Sequence, residues 1–285
     1  MKTILYTLGL ERMHYLKQLL QFFRIFLQYF SFGKLGNLIR CEWALIRKKP
    51  VVQSMPYLLK IEATNRCNLK CRFCPRRQMT NARGTISFKN FITIFDQFKD
   101  NLILFSPHLW GEPLLNPNVC RMIRYAHDNG VGTYMSTNMH YLDTAFCEKL
   151  ITSGLDLLTV SLDGASPETY RTYRKNGDFD LVIQNVEALI RKKRESGSRT
   201  PLVQIQFIVF RHNEHEIERI HTGQAPGRRR CQSQTRGHRG PQLVAEQRQA
   251  EIQSICNRQK EDENLLVALA NRHSELEWPG IPLLP

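Results

Sequence analysis

Three cysteines crowd into a stretch of eight residues, in the order Glu62-Ala-Thr-Asn-Arg-Cys67-Asn-Leu-Lys-Cys71-Arg-Phe73-Cys74-Pro75. Thiolates are soft donors, and gaps of three and then two residues let one loop wrap a compact iron–sulfur unit or a single metal ion. The chain has eight cysteines in 285 residues, which in a short secreted chain would suggest disulfides. Crowding of three of them in a chain this long favours metal ligation instead. A cluster fully held by protein takes four protein ligands, so Cys67, Cys71 and Cys74 would leave one iron open to an outside ligand. A structural zinc site is the plainer alternative, and it needs a fourth ligand such as His108 or Cys120.

Four further segments carry groups able to hold a small polar molecule. They are Trp110-Gly111-Glu112-Pro113, Ser136-Thr137-Asn138, Ser161-Leu162-Asp163-Gly164 and Tyr173-Arg174-Lys-Asn-Gly177-Asp-Phe179. Taken singly, each has an ordinary reading: a turn, a strand end, a helix cap, a surface arginine. Taken together with the cysteine loop, they resemble the radical S-adenosylmethionine (SAM) superfamily, in that family's order. The resemblance rests on C-x3-C-x2-C with Phe73 before the last cysteine, on a Gly-Glu-Pro segment, and on the Ser-Thr-Asn and Ser-Leu-Asp-Gly segments. It covers residues 57–220, including Gln206 and Asn213 in the fifth-strand segment. Two departures from the family pattern are visible, Trp110 and Met139 standing where glycines are usual.

The resemblance implies a four-iron four-sulfur (4Fe-4S) cluster on Cys67, Cys71 and Cys74, with S-adenosyl-L-methionine chelated at the open iron. It further implies reductive cleavage of that cofactor to methionine and a 5′-deoxyadenosyl radical, which takes hydrogen from a peptide or small organic substrate. Phe73, Gly111, Glu112, Pro113, Ser136, Asn138, Ser161, Asp163 and Arg174 are the cofactor-binding residues it suggests, Glu112 toward the methionine ammonium group and Arg174 toward the carboxylate. An electron donor such as a flavodoxin or ferredoxin is implied as a partner. The Ser161-Leu162-Asp163-Gly164 segment is most similar to the subgroup that often carries a C-terminal SPASM domain.

These residues need a frame that brings loop ends together. From Tyr57 onward, strand-like and helix-like runs alternate: strands over Tyr57–Thr64, Leu102–Phe105, Gly132–Ser136, Leu157–Leu162 and Leu202–Phe210, helices over Phe88–Asp100, Asn118–Asn129, Asp143–Ser153 and Phe179–Glu195, and a further helix opening at Glu214. Gly130 and Gly154 supply helix stops. Repeated strand and helix units predict a parallel sheet with crossover helices, a partial (β/α)6 TIM-like barrel. Six strands are the family expectation and five are readable. In such folds ligands bind outside the carboxyl ends of the strands, where all four motifs lie.

The formal charge is +14, unevenly spread: residues 1–56 hold nine Lys/Arg against two Asp/Glu, 57–220 hold 22 against 17, and 221–285 hold nine against seven. The excess therefore sits in the N-terminal arm, which suits an acidic partner or a lipid surface and argues against sequence-specific nucleic-acid binding. Within the arm, Tyr15–Phe32 reads as an amphipathic helix with Lys17, Gln21, Arg24, Gln28 and Ser31 in one polar stripe, too interrupted to cross a membrane. Packing against the open end of the barrel is an equal reading for it. No secretory signal is apparent at the N-terminus, so a cytoplasmic location is expected, with a membrane-surface or protein contact through the arm.

All 15 Phe and all nine Tyr precede His221, and the last 65 residues hold eight Arg and eight Gln. Residues 221–285 thus read as an atypical, poorly ordered tail, with at most a modest helix over Leu243–Ala270. Cys231 and Cys256 are too few for a second cluster, and Cys41, Cys120 and Cys147 read as free thiols. The break at His221 keeps two other readings open: a truncated or frame-shifted inactive relative, and a metal-binding interaction module.

Overall fold

The computed structural model describes residues 20, 23–217 and 220, and the backbone of Leu265–Ala270. After an N-terminal arm containing helix α1 (Phe32–Ile46), the chain alternates β1 (Leu58–Lys60), α2 (Phe88–Phe95), β2 (Leu104–Ser106), α3 (Val119–Asp128), β3 (Gly132–Thr137), α4 (Thr144–Thr152) and β4 (Leu157–Ser161). Two helices then follow in succession, α5 (Pro167–Tyr173) and α6 (Phe179–Glu195), before β5 (Leu202–Ile208) and β6 (Leu265–Ala270). The strands pair in sequence order, all parallel. Parallel neighbours with helical crossovers make the partial TIM-like barrel expected from the alternation.

Local signals explain most boundaries. Ser87, Asp143, Ser166 and Asp178 cap α2, α4, α5 and α6, each accepting backbone N–H groups of the first turn, as short polar caps do. Gly130 (φ 69°) and Gly154 (φ 82°) take the left-handed conformation after α3 and α4. Helix α3 buries Val119, Cys120, Met122, Ile123 and Ala126, one stripe at helical spacing. Strand β1 is shorter than the sequence suggests because the chain leaves the regular ladder toward the cysteine loop. Its backbone stays tied beyond Lys60, Ile61 N donating to Ser106 O at 3.0 Å and Ala63 N to Pro107 O at 2.9 Å.

Alternation along the strands sorts two faces. Leu59, Phe105, Met135, Leu158, Val160, Val203, Ile205 and Phe207 join the core beneath the helices. The intervening residues therefore face the barrel lumen. At its lower end, Leu104 and Tyr134 meet Ile25 and Tyr29 of the arm. A Cβ on Gly132 would lie 2.3 Å from Ile25 Cγ2, so this glycine admits the arm. The Tyr29 hydroxyl sits 2.8 Å from His127 Nδ1 and 3.0 Å from Asp156 Oδ1. Burial and the Asp156 charge push the Tyr29 phenol well above its ordinary range.

Two expectations change. The arm is not one helix through Phe32: residues 23–28 are helical, the chain turns at Tyr29, and Ser31 caps a second helix, α1. Helix α1 also turns polar groups inward, Lys34 donating to Gly130 O and Asn37 exchanging bonds with Met55 N and O at 2.9 and 2.8 Å, while Phe32, Ile39, Trp43 and Ile46 are exposed. Finally, Leu265–Ala270 is a strand where the sequence allowed a helix over Leu243–Ala270, and it covers the edge of β5 in register from Val203↔Leu265 to Ile208↔Ala270. The rest of 221–285, with Cys231 and Cys256, and the Lys17 end of the polar stripe lie outside the described residues.

Candidate active site

The cysteine loop begins where β1 ends, at the carboxyl side of the sheet. Cys67, Cys71 and Cys74 gather in one apolar cluster with Leu69, Tyr173 and Phe210. Each of the first two sulfurs is met by donors: Leu69 N lies 3.4 Å and Asn138 Nδ2 3.7 Å from Cys67 Sγ, and Arg174 Nη1 lies 3.8 Å from Cys71 Sγ. Burial raises the Cys67 and Cys71 thiols, and Arg174 opposes that rise at Cys71. Donors and a cation around sulfur are what a thiolate ligand set needs. Among the described residues, no group of three or more His, Cys, Asp or Glu is spaced to hold one metal ion.

Neither sequence candidate for a fourth zinc ligand joins the loop. Cys120 is on the buried face of α3, its thiol pushed up to about 12 by burial. His108 Nδ1 instead receives the Ser136 backbone N–H at 3.0 Å and lies 2.7 Å from Ser106 Oγ. Cys147 is a buried free thiol and Cys41 a half-buried one donating to Met55 O. Phe73 is 66 % exposed, its ring 6.2 Å from Tyr173 and 6.0 Å from Phe210.

The Gly-Glu-Pro segment is fitted onto the cysteine loop. A Cβ at Gly111 would fall 1.8 Å from Thr64 O and 2.9 Å from Arg66 O, so no other residue fits there. Glu62, which sequence reasoning did not single out, accepts Trp110 N at 2.8 Å and Gly111 N at 2.7 Å. Pro113 opens a buried short helical turn whose cap is Glu112. Glu112 itself is buried and ties this loop to the end of β3, accepting from Thr137 Oγ1 and Asn138 N, both at 2.7 Å. Burial raises its carboxyl above the usual range despite those bonds. A carboxylate has about four lone-pair positions, so an ammonium group can still approach it.

Ser136, Asn138 and Ser161 come together across the strand ends. Ser136 Oγ is 3.2 Å from Ser161 Oγ, Ser161 Oγ donates to Gln206 Oε1 at 3.3 Å, and Asn138 Nδ2 donates to Asn68 Oδ1 at 2.8 Å. Met139 takes φ 63°, the left-handed conformation for which glycine is the usual residue. Its backbone is held there by Thr137 Oγ1, 2.9 Å from its N–H, and by Asn185 Nδ2, 2.8 Å from its carbonyl. The departure at this position is thereby accommodated.

Asp163 is buried at φ 51°, accepting Ile208 N at 2.8 Å and Arg174 Nε at 2.8 Å, with a second, shorter contact from Arg174 Nη2. Arg174 is no surface residue: its side chain is 13 % exposed. Burial works against its charge, but Asp163, Cys71, Tyr173 and Tyr170 outweigh it and hold the guanidinium protonated. A Cβ on Gly164 would meet Tyr170 N at 2.4 Å. Asn213 clamps this turn by donating to Asp163 O at 3.0 Å, as does Glu216, which accepts Ala165 N at 2.7 Å. Glu216 was not legible beforehand, because only the fold brings it 51 residues back to Ala165.

A parallel barrel with three clustered cysteines and convergent polar groups at its strand ends places this chain among α/β-barrel proteins whose ligand sites lie at the carboxyl ends of the strands. Residues 61–222 match the Radical SAM superfamily, and the chain belongs to that superfamily. Its members use a 4Fe-4S cluster and SAM. The chain is 32% identical over 139 residues to an AdoMet-dependent heme synthase of Methanosarcina barkeri, covering 47% of this chain and 39% of that protein. It is 31% identical over 166 residues to a probable GTP 3′,8-cyclase of Methanocaldococcus jannaschii, covering 57% of this chain and 53% of that one. The fold is similar to that of Streptococcus suis SuiB bound to S-adenosylmethionine, with a TM-score of 0.53 and 19% identity over 86% of this chain and 57% of SuiB. The chain spans about half the length of the curated relatives it matches. No helix among the described residues is long and apolar enough to cross a membrane.

Proposed function

We propose that Cys67, Cys71 and Cys74 hold a 4Fe-4S cluster with one iron left for SAM, and that the chain is a radical SAM enzyme of the oxidoreductase or maturase kind. The observation that carries this reading is the gathering of the three thiols beside Asn138 and Arg174 at the carboxyl ends of parallel strands. When bound, the cluster supplies one electron to the sulfonium of SAM, releasing methionine and a 5′-deoxyadenosyl group that takes a hydrogen atom from the substrate.

The chain's own residues bind and orient. Gly111 and Pro113 shape the loop that receives the methionine end, where the Glu112 carboxylate faces the ammonium group. Ser136, Asn138 and Ser161 offer hydrogen bonds to the ribose and carboxylate. Arg174, fixed by Asp163, uses two of its five N–H donors on that carboxylate and one on Cys71, leaving donors for the cofactor carboxylate. Phe73 flanks the site, its ring against Tyr173 and Phe210. Residues 57–220 form this catalytic core, and 221–285 a tail that contributes β6. The substrate is a peptide or a small organic molecule, the latter supported by the names of the two curated relatives. A flavodoxin or ferredoxin supplies the electron, and placement in the SPASM-associated subgroup rests on Ser161-Leu162-Asp163-Gly164.

The arm we assign, in an intracellular setting, to an anionic lipid surface: α1 exposes Phe32, Ile39, Trp43 and Ile46, and Arg47, Lys48 and Lys49 follow directly. Vesicle co-sedimentation tests it, retention on anionic and not on zwitterionic vesicles being expected. The enzymatic reading is tested by anaerobic reconstitution, chemical reduction and addition of SAM. Formation of 5′-deoxyadenosine and methionine is the expected result. A fully loaded cluster without either product would favour an inactive relative, and stoichiometric zinc without iron a metal-binding interaction module.

A further inference from the structure

The lumen of the barrel holds a second set of groups that the cofactor reading does not use. Lys60 stands on the lumenal face of β1, in register with Ser106 of β2. Ser106 Oγ is 2.7 Å from His108 Nδ1, which also accepts the Ser136 N–H at 3.0 Å. A backbone N–H can only donate, so Nδ1 is unprotonated and the neutral ring carries its hydrogen on Nε2. The ring is held edge to face against Tyr134, with centroids 5.5 Å apart. Burial and the Lys60 charge lower His108 to about 4, which keeps this tautomer at neutral pH.

Two donors are therefore left over. His108 Nε2 receives no protein acceptor among the described residues. The buried side-chain atoms lacking a partner there are Arg76 Nε, Tyr170 Oη and His212 Nε2. His108 is not among them and its side chain is only partly buried, which leaves room for a ligand at Nε2. Lys60 is exposed on the edge strand and forms no ion pair among the described residues. Glu62, two positions along the chain from Lys60, is already taken by Trp110 N and Gly111 N.

We infer that Lys60 and His108 form a substrate-anchoring site that takes a carboxylate, the ammonium supplying charge and Nε2–H a directed hydrogen bond. The inference rests on the radical SAM reading for the word substrate, but its chemistry stands on these two side chains alone. The anchor lies one strand from Ser136, beside the groups assigned to the cofactor. A carboxylate bound there fixes one end of a substrate inside the lumen, with the remainder directed toward the strand ends. Its source is a peptide terminus or acidic side chain, or a small organic acid.

Residue-resolved acylation of lysines in the cluster-loaded full chain, read by mass spectrometry, tests this. The probes are N-acetyl-triglycine as free acid, the same tripeptide as its C-terminal amide, and propionate. The free acid is expected to slow Lys60 modification about tenfold at saturation, as a charge-assisted bond worth ~1.5 kcal/mol or more implies, with exposed Lys89 unchanged as the internal control. Stronger protection by the tripeptide than by propionate would assign a peptide source, and equal protection a small acid. In H108A the protection weakens, and in H108Q, which keeps a side-chain N–H, it is largely restored. Equal protection by the amide, no protection by either carboxylate, or undiminished protection in H108A overturns the inference. Production of 5′-deoxyadenosine by the same unmodified sample is scored separately, so failure of the carboxylate anchor and failure of the enzymatic reading are told apart.

Discussion

The two ends of the barrel are built on opposite principles. At the carboxyl end the strands finish in polar, closely fitted loops, where Gly111 lets one backbone press on another and three thiols share a cluster with two aromatic rings. At the amino end, Ile25 and Tyr29 of the arm pack with Ile103, Leu104 and Tyr134 in one apolar cluster. One end keeps groups available and the other closes them off. The same strands thus serve chemistry above and cohesion below, a division general to parallel barrels.

Changes at the two ends should therefore separate activity from stability. The largest effect is expected for Cys71→Ala, which removes one of three ligands: iron content should fall from about four per chain to under about one, with 5′-deoxyadenosine lost, while thermal unfolding of the apoprotein moves little. Asp163→Asn comes next. It leaves the Arg174 charge without its partner and should cost about 3–5 kcal/mol in urea unfolding, together with a loss of affinity for SAM. A cost under about 1 kcal/mol would mean that the pair behaves as an exposed one.

His108 is lowered from 6.5 to about 4 by burial and Lys60. Its neutral form is the one the folded state accepts, so its contribution is intact above pH 6.5 and is lost as pH falls toward about 4. That contribution is up to roughly 3 kcal/mol, and it should appear as the difference between wild type and H108Q in unfolding curves across this window. Parallel curves would mean the ring is free to protonate in the fold. The smallest effect belongs to the lower end, where Tyr29→Phe removes the bonds to Asp156 and His127. About 1 kcal/mol of stability should go, with 5′-deoxyadenosine production per iron unchanged. A fall in that production would break the division between the ends.

The sequence carried the alternation of strands and helices because caps, glycine stops and apolar periodicity are local signals. Helix α6 lies where the pattern places it, and the five strands to Ile208 differ from expectation mainly in length. The cysteine loop was legible for the same reason, its three thiols being neighbours in sequence. What was not legible depends on distant partners. Leu265–Ala270 is a short apolar run that suits helix or strand equally until the free edge of β5 decides it. The break of the arm at Tyr29 follows from a hydroxyl reaching Asp156, 127 positions away. Arg174 looks like a surface residue in sequence, and it takes the turn of Asp163 at positive φ to draw it inward. Lys60 and Glu62 carry no motif of their own, and they acquire a role only because β1 ends beside the loop that holds Gly111.

A cluster with one iron free to bind SAM is tested most directly by electron paramagnetic resonance of the anaerobically reconstituted, reduced full chain. Iron and sulfide near four each per chain, with a signal that changes shape when SAM is added, is the predicted result. A cluster signal indifferent to SAM, or a protein that takes up zinc and no iron, would contradict it.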